Sequence, residues 1–502
     1  MHELEITEEN VLNILQNLNV NKSTGPDNIP AILLRRAAEA FKVPLTLLLR
    51  RSYDEGNVPS LMKNANVTPL FKGGKIKTAN HFRPISLTPI SAKVGERLYK
   101  EDLEEFLDRN KILSEKQHGF RKNRSTASNL RKTWETVTDW ADEGRGVAIV
   151  YTDFKKAFDS VPKPILLRKL ENYGIRGKNL KWIDSFISDR TQQVVINGST
   201  SQTKTIKTAC PQGGVLSGIL FSLYINDLPN VIEHSQIEMY ADDAKIFAPI
   251  DNEDSVLKIQ TDLDKCADWS EAYLDLNIKK CHCIIHLPKN HTEPRPIFKI
   301  KNTPIENKRS TSDLGVTITE DFKFHKQVDK VCNLGKLEVN RIDRNFISRS
   351  PYFLRDAFKT YVRPIIEYNN EIWNPVYIGD QNKLEKVQNK LTKLLNYGEI
   401  MRPDERNRIM NLESHQQRRL RGDLISIFKN FEDDQLFTKK TDSRTRGHSK
   451  AIAIRRARTD IKRHSLSHRS IETWNKLPES VVQSPSVNAF KSNVDKYFQR
   501  KK

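Results

Sequence analysis

Apolar residues recur at three- and four-residue spacing through Ile6, Val11, Ile14, Leu15 and Leu18, which predicts an amphipathic helix near the N-terminus. The turn formers of "NKSTGPDNIP" end that pattern, and a helical pair is expected from Ile32 to about Tyr53. From Val67 to about Ile318 short apolar runs alternate with amphipathic stretches, the texture of an α+β domain. "GVAIVYTDF" (146–154) predicts one buried strand and "QQVVIN" another, while "QIEMYADDAKIFA" predicts a hairpin with Ala241 to Asp243 at its turn. "GGVLSGILFSLYINDL" and "DSVLKIQTDLDKCADWSEAY" have helical spacing. Residues 322–400 read as mostly helical, most clearly in "VDKVCNLGKLEVNRI" and "QNKLEKVQNKLTKLL".

Length and charge then narrow the class. A chain of 502 residues suggests two to four domains. Its net charge of +20 points to a polyanionic partner, because phosphates reward cationic surfaces with released counterions. The last 101 residues hold 24 Lys+Arg against 12 Asp+Glu, so more than half the surplus lies in a fifth of the chain. There "RRARTDIKRHSLSHR" reads either as an electrostatic hold on RNA or as a solvated, partly disordered basic tail. No signal-peptide order and no apolar run of bilayer length is seen, so a soluble intracellular protein without membrane contact is expected, in nucleus or cytoplasm. Five cysteines without a CxxC pair indicate neither a disulfide framework nor a zinc ribbon. The mixed ligands of "CHCIIH" (281–286) are better read as an alternating strand than as a metal site.

"MYADDAKIF" (239–247) sets Asp242 and Asp243 side by side in an apolar run. Unpaired carboxylates there are costly, so a lysine or a divalent cation should offset them. Asp153 follows the other buried strand, and if the two strands are neighbours, Asp153 and Asp242 converge. Three such carboxylates suit two Mg²⁺ ions about 3.5 to 4 Å apart, the clamp of in-line phosphoryl transfer.

Here the residues reach a family. "YTDFKKAFDSV", "CPQGGVLSGILFSLYINDLP", "YADD" and "DLNIKKC" stand in the order and approximate spacing of reverse transcriptase motifs. "NKSTGPDNIP", "HFRPISLTPISAKVGERL" and "QHGFRKNRSTASNL" resemble the non-LTR retrotransposon branch, LINE-type and Jockey-like, and the C-terminal "SIETWNKLPESVVQSPSVNAFKSNVDKYF" resembles the tail of such reading frames. The resemblance implies an α+β right-hand polymerase. Its fingers and palm would span 61–320, the palm an antiparallel sheet with helices on one face. A helical thumb at 321–400, a helical N-terminal extension at 1–60 and a basic C-terminal region at 401–502 complete the expected division. It also implies an RNA template, a DNA primer, dNTPs and two Mg²⁺ ions, with Mn²⁺ as a substitute; oligomeric state stays open.

By the same resemblance Asp153, Asp242 and Asp243 are the metal-binding aspartates. Consecutive strand residues face opposite ways, so Asp242 is expected to share metals with Asp153 and Asp243 to bind at most one. Phe158 matches the aromatic whose ring excludes a 2′-hydroxyl, and Gln212 and Gly213 match positions beside nucleotide and template. Gly214 and Gly218 depart from the usual serine and proline, which is expected to loosen that segment. Arg83, with Lys72 or Lys75, is expected to meet the triphosphate, and Arg121 and Arg124 the template backbone. Lys280 matches a lysine that protonates departing pyrophosphate, with Cys281 replacing a threonine, and "DLGVTI" (313–318) resembles the hairpin that grips the primer end. Elements of this kind carry an upstream endonuclease; the polymerase region here starts close to Met1, and no RNase H acidic set or CCHC knuckle is read. The competing expectation is a decayed or domesticated copy that binds RNA without synthesis.

Overall fold

The computed structural model describes residues 1–502 apart from 74–77, 79–80, 207, 209, 289–293, 397, 434–435, 441–446 and 501–502. At the N-terminus, α1 (Glu8–Gln16) is capped by the Thr7 side chain and buries Val11, Ile14 and Leu15. It packs against α2 (Ala38–Glu55) and α3 (Ile90–Arg109). The Arg50 Nε donates to the Ile6 carbonyl at 2.6 Å, so the segment leading into α1 is tied to α2 by more than apolar contact.

Strands β1 (Asn64–Phe71) and β2 (Phe82–Leu87) pair antiparallel. Strand β3 (Gly146–Thr152) belongs to a second sheet, while β4 (Arg190–Ile196) runs parallel to β1. The "QQVVIN" segment thus forms the expected strand without its expected burial: Val194 and Ile196 are 37% and 52% exposed. They lie on the wall of a cleft, not in the core.

The second sheet places β3 between β6 (Asp243–Ile250) and β7 (His282–His286), both antiparallel to it. Outside β6 lies β5 (Gln236–Tyr240), and a two-residue parallel strand, β8 (Glu306–Asn307), edges β7. Alternate residues of β3 enter different cores: Ala148 and Val150 join one, Val147 and Ile149 the other. Both faces therefore need cover, since an exposed run of this kind would lose roughly 1.5 to 3 kcal/mol for each large side chain. Helix α4 (Thr126–Asp142) covers one face with Leu130, Trp134 and Val137. On the other lie α5 (Ser217–Tyr224) and α6 (Glu253–Tyr273), which contribute Phe221, Ile259 and Leu263. The expectation of helices on one face is corrected accordingly: a central strand apolar at every position cannot leave either side to water.

Strands β9 (Ser310–Asp313) and β10 (Val316–Thr319) make a hairpin whose turn, Leu314 and Gly315, has positive φ at both residues. Beyond it α7 (His325–Asn345) packs on α8 (Ile378–Thr392), with Gly335 giving the closeness: a Cβ there would meet Ile366 at 2.9 Å and Val387 at 3.0 Å. The C-terminal residues are not a solvated tail. Leu424 and Ile427 of α9 (His415–Asn430) and Phe490 and Val494 of α10 (Val487–Arg500) surround the buried Trp474, forming a third core. Among the described residues no helix is long and apolar enough to cross a membrane.

Candidate active site

Strands β5 and β6 end in the pair Tyr240↔Asp243, so the turn between them is Ala241 and Asp242 alone, and Asp243 is the first residue of β6. Ala241 has φ 56°, a left-handed conformation that costs a residue with a Cβ. Its surroundings enforce it. The buried Gln117 side chain accepts from the Ala241 N–H at 2.9 Å and from the Gly119 N–H at 2.7 Å, and its amide donates to the Ala241 carbonyl at 3.3 Å. The Met239 N–H donates to the Lys116 carbonyl and the His118 N–H to the Met239 carbonyl, so segment 116–119 is stitched along the hairpin.

Behind this clamp, buried His118 touches the Glu238 carboxylate at 2.9 Å through Nε2 and the Ser128 hydroxyl at 2.7 Å through Nδ1. Ser128 is also half of the capping box that starts α4. Burial lowers the His118 pKa, and the Glu238 hydrogen bond and charge oppose that only in part. None of Gln117, His118 and Glu238 was predicted as a site residue; the one signal was their place in the quoted "QHGF" run and in the strand before "YADD".

The other strand end arrives beside this turn. Thr152 is the last residue of β3 and pairs with Ala244, which leaves Asp153 emerging alongside the hairpin. The Asp153 carbonyl accepts from the Asn277 N–H at 2.7 Å, and Cys281 Sγ lies 3.5 Å from its N–H. Lys280 Nζ approaches Asp153 Oδ2 at 3.4 Å, an ion-pair contact without hydrogen-bond geometry, so that buried oxygen has no hydrogen-bond donor among the described residues.

Burial raises the Asp242 pKa and Asp153 adds to it, while Arg83 and Lys280 pull the other way. Asp243 keeps exposed surface at the floor of the cleft; its carboxyl is nonetheless crowded enough that desolvation, then Asp242, Asp313 and Asp153, push it up to about 6. The two aspartates are thus unequal. Asp242 shares its surroundings with Asp153, Arg83 and Lys280; Asp243 also feels Asp313 and Lys245, which form a buried pair at 2.7 Å. Tyr151 completes that pair's setting with its hydroxyl 3.4 Å from Asp313, tying the β9–β10 hairpin to the sheet below the carboxylates.

Around them opens a cleft of ≈ 1990 Å³ that brings together Lys72, Arg83, Phe158, Gln212, Gly213 and Lys280 with all three aspartates. Gln212 donates to Asp159 at 3.3 Å, and its carbonyl accepts from the Ser86 N–H at 2.8 Å. Gly213 has φ 117°, and a Cβ on it would meet the Ser86 carbonyl at 2.5 Å, so its close approach in the free protein is to β2. Glu96 accepts from the Val215 and Leu216 N–H groups, capping the entry to α5. The expected looseness of this segment does not arise: a Cβ at Gly218 would meet the Phe120 ring at 2.4 Å and one at Gly214 the Ser217 hydroxyl at 2.7 Å. Arg121 and Arg124 are not brought to the cleft. Arg121 donates to the Ser114 carbonyl at 2.7 Å, and both guanidinium groups pair with Glu115. Lys75 lies outside the described residues.

Among the described residues no three carboxylate, imidazole or thiol groups stand close enough to grip a metal ion as they are placed. The chemistry of the set still fits one. An orphaned buried oxygen on Asp153 and two neighbouring carboxyls held above their ordinary pKa are hard oxygen donors short of a cation.

Residues 72–318 match the family described as "Reverse transcriptase (RNA-dependent DNA polymerase)". The chain is 25% identical over 401 residues to the RNA-directed DNA polymerase from mobile element jockey of Drosophila melanogaster, covering 77% of this chain and 43% of that one. It is 24% identical over 385 residues to the probable RNA-directed DNA polymerase from transposon X-element of the same organism, covering 75% and 42%. A solved apo telomerase from Candida tropicalis overlaps 56% of this chain and 58% of its own at 14% identity and a TM-score of 0.36, too loose a likeness to carry an argument. The chain spans less than half the length of both curated relatives.

Proposed function

We propose, because this chain carries a reverse transcriptase domain of the non-LTR retrotransposon type, that it extends a primer 3′-hydroxyl with deoxynucleotides on an RNA template. The observation that carries the proposal is the meeting of β3 and the β5–β6 turn: Asp153, Asp242 and Asp243 line one cleft, and burial together with the neighbouring carboxylates raises the proton affinity of Asp242 and Asp243. In this reading the three aspartates hold two divalent ions, Mg²⁺ or in its place Mn²⁺. When bound, such ions supply Lewis-acid activation of the attacking hydroxyl and charge stabilisation at the phosphate.

The other cleft residues take roles that their positions support. Arg83 sits opposite Leu70 at the open end of β2, exposed, with a fork of donors suited to triphosphate oxygens, and Lys72 joins it from β1's end. Phe158 presents its ring to the sugar, and Gln212 and Gly213 lie beside nucleotide and template. Lys280, its side chain 67% exposed and its Nζ 3.4 Å from Asp153, delivers a proton to the departing pyrophosphate. The bond formed joins the primer 3′-oxygen to the α-phosphorus; the bond broken is that between the α-phosphorus and the bridging oxygen to the β-phosphate. Residues 61–320 serve as fingers and palm and 321–400 as thumb, flanked by the N-terminal extension and the 401–502 unit.

The test is template-primed extension with Mg²⁺ and dNTPs, comparing the parent chain with Asp242→Ala. Incorporation should fall to background in the variant; equal incorporation by the two would sink the proposal. Mn²⁺ binding, read by calorimetry, should weaken in parallel.

A further inference from the structure

One large aromatic in the cleft has no part in the mechanism above. Phe120 is 47% exposed and has φ 55°, a backbone conformation that an aromatic residue rarely holds without enforcement. The enforcement comes from both sides. A Cβ on the preceding Gly119 would stand 2.4 Å from the Ala241 nitrogen, so the chain there is pressed against the Asp242 turn. The Gly119 carbonyl meanwhile lies 3.4 Å from the Ser222 hydroxyl of α5. Strain is thus maintained to hold a half-exposed ring over the cleft.

That ring stands edge-on to Phe158, centroids 5.9 Å apart and planes at 81°. Phe158 is also stacked on the buried Phe221 at 4.3 Å. Phe158 is therefore in contact with two rings, a buried one stacked on it and a half-exposed one edge-on to it that lines the cleft. Gly218 makes the arrangement fit, because a Cβ on it would lie 2.4 Å from Phe120 Cδ1 and 2.6 Å from Cγ. Any side chain at 218 would displace the outer ring.

We propose that Phe120 is the outer wall of the sugar gate: it restrains the Phe158 ring and so sets discrimination against ribonucleotides, with Gly218 kept small to admit it. The inference rests on Phe158 being the residue that meets the sugar. A ring packed on two sides has few rotamers open to it and cannot swing aside for a 2′-hydroxyl; a ring packed on one side can. Phe120 acts through Phe158 and is a positioning residue.

The experiment measures kcat/KM for a dNTP and the matching rNTP on the full chain, on one RNA template and DNA primer, in the parent, Phe120→Ala, Phe120→Tyr, Gly218→Ala, Phe158→Ala and the Phe120→Ala/Phe158→Ala pair. Phe120→Ala and Gly218→Ala should each lower the deoxy-to-ribo ratio about tenfold. Phe120→Tyr should restore most of it. In the Phe158→Ala background, Phe120→Ala should lower the ratio no further, the non-additivity expected of residues that act as a unit. The proposal is overturned if Phe120→Ala reduces both substrates equally while Phe158→Ala collapses the ratio, which leaves the gate standing without its wall. If Phe158→Ala itself leaves the ratio unchanged, the sugar-gate reading falls and the inference with it. The ratio is internal to each preparation, so partial loss of folded protein does not disguise either result.

Discussion

At the floor of the cleft, Asp153 keeps a buried oxygen without a donor and Asp243 has its pKa pushed up to about 6. At the seam between α4 and the C-terminal unit, buried Glu135 meets Lys462 at 3.0 Å and the Ser467 hydroxyl at 2.5 Å. Burial alone would raise the Glu135 pKa, yet Lys462 and Ser467 outweigh it and the net shift is downward. Lys462 also reaches Asp139 at 2.8 Å, and Asp142 accepts from the Arg458 and Thr459 backbones at 2.8 and 2.6 Å. Both regions crowd carboxylates; in the cleft Lys280 meets Asp153 at 3.4 Å without hydrogen-bond geometry, whereas at the seam lysine and hydroxyl hydrogen bonds satisfy Glu135 from within the chain. A buried charge left short is a place for a ligand, whereas a matched one is architecture.

The sharpest way to break that contrast is to remove one charge on each side. Asp242→Ala should cut extension on the order of 10³-fold or more. It should leave the thermal unfolding temperature of the metal-free protein unchanged or higher, because a desolvated, mutually repelling charge has gone. A variant that lost activity and stability together would show Asp242 to be structural. Added Mn²⁺ should raise the parent's unfolding temperature but not that of the variant.

Across the seam the sign reverses. Lys462→Met leaves Glu135 buried and unpaired, which should cost about 3–5 kcal/mol in denaturant unfolding of the C-terminal unit. Glu135→Leu added to Lys462→Met should recover most of that loss, since two apolar groups strand no charge. If the double variant were as unstable as the single, the unpaired charge would not be the cause.

That seam also shows where reading the sequence reached its limit. Asp153, Asp242 and Asp243 were legible because each carboxylate interrupts or ends an apolar run, and the β3–β6 pairing then brings the strand ends together. Lys462 was illegible. It lies in "RRARTDIKRHSLSHR", read as a solvated or RNA-holding tail, but its partner Glu135 is 327 residues away and no local pattern announces so distant an ion pair. Arg121 and Arg124, expected at the template backbone, stand outside the cleft beside Glu115, a pairing that a basic run does not announce. The Gln117 clamp bridges 124 residues and carries no charge, so neither periodicity nor composition could single it out.

Gln117 offers a third and smaller perturbation. Gln117→Ala removes the groups that hold Ala241 in its left-handed conformation without touching any aspartate. Misplacing a catalytic turn by about an ångström can cost around 100-fold in rate, so kcat for dNTP incorporation should fall by about 10- to 100-fold. KM for the dNTP should move far less, because Arg83 and Phe158 stand on other elements. A rise in KM at constant kcat would place Gln117 in binding instead of turn geometry.

The smallest test concerns a group kept neutral where α9 packs on α8. His415, the first residue of α9, is buried with Nε2 lacking a partner; its backbone N–H donates to Glu385 at 2.7 Å and its ring lies 6.2 Å from Phe358. Burial, then Arg419, Arg363 and Arg418, push its pKa down to about 3. In the unfolded chain the imidazole takes up a proton near pH 6.5, which the folded protein cannot do until far lower pH. His415 therefore contributes nothing to pH dependence above about 6.5, and below it stability falls by about 1.4 kcal/mol per pH unit for this one group until the folded pKa is reached. His118 and His468 shift in the same direction, so the parent's slope exceeds that of one residue and the difference between proteins carries the information. His415→Phe should shallow the loss of stability between pH 6.5 and 5.5 by about 1 kcal/mol in denaturant melts, the unfolded imidazole being half protonated at the start of that interval. An unchanged slope would mean that the ring meets water or a carboxylate when charged, and that these surroundings tolerate an added positive charge.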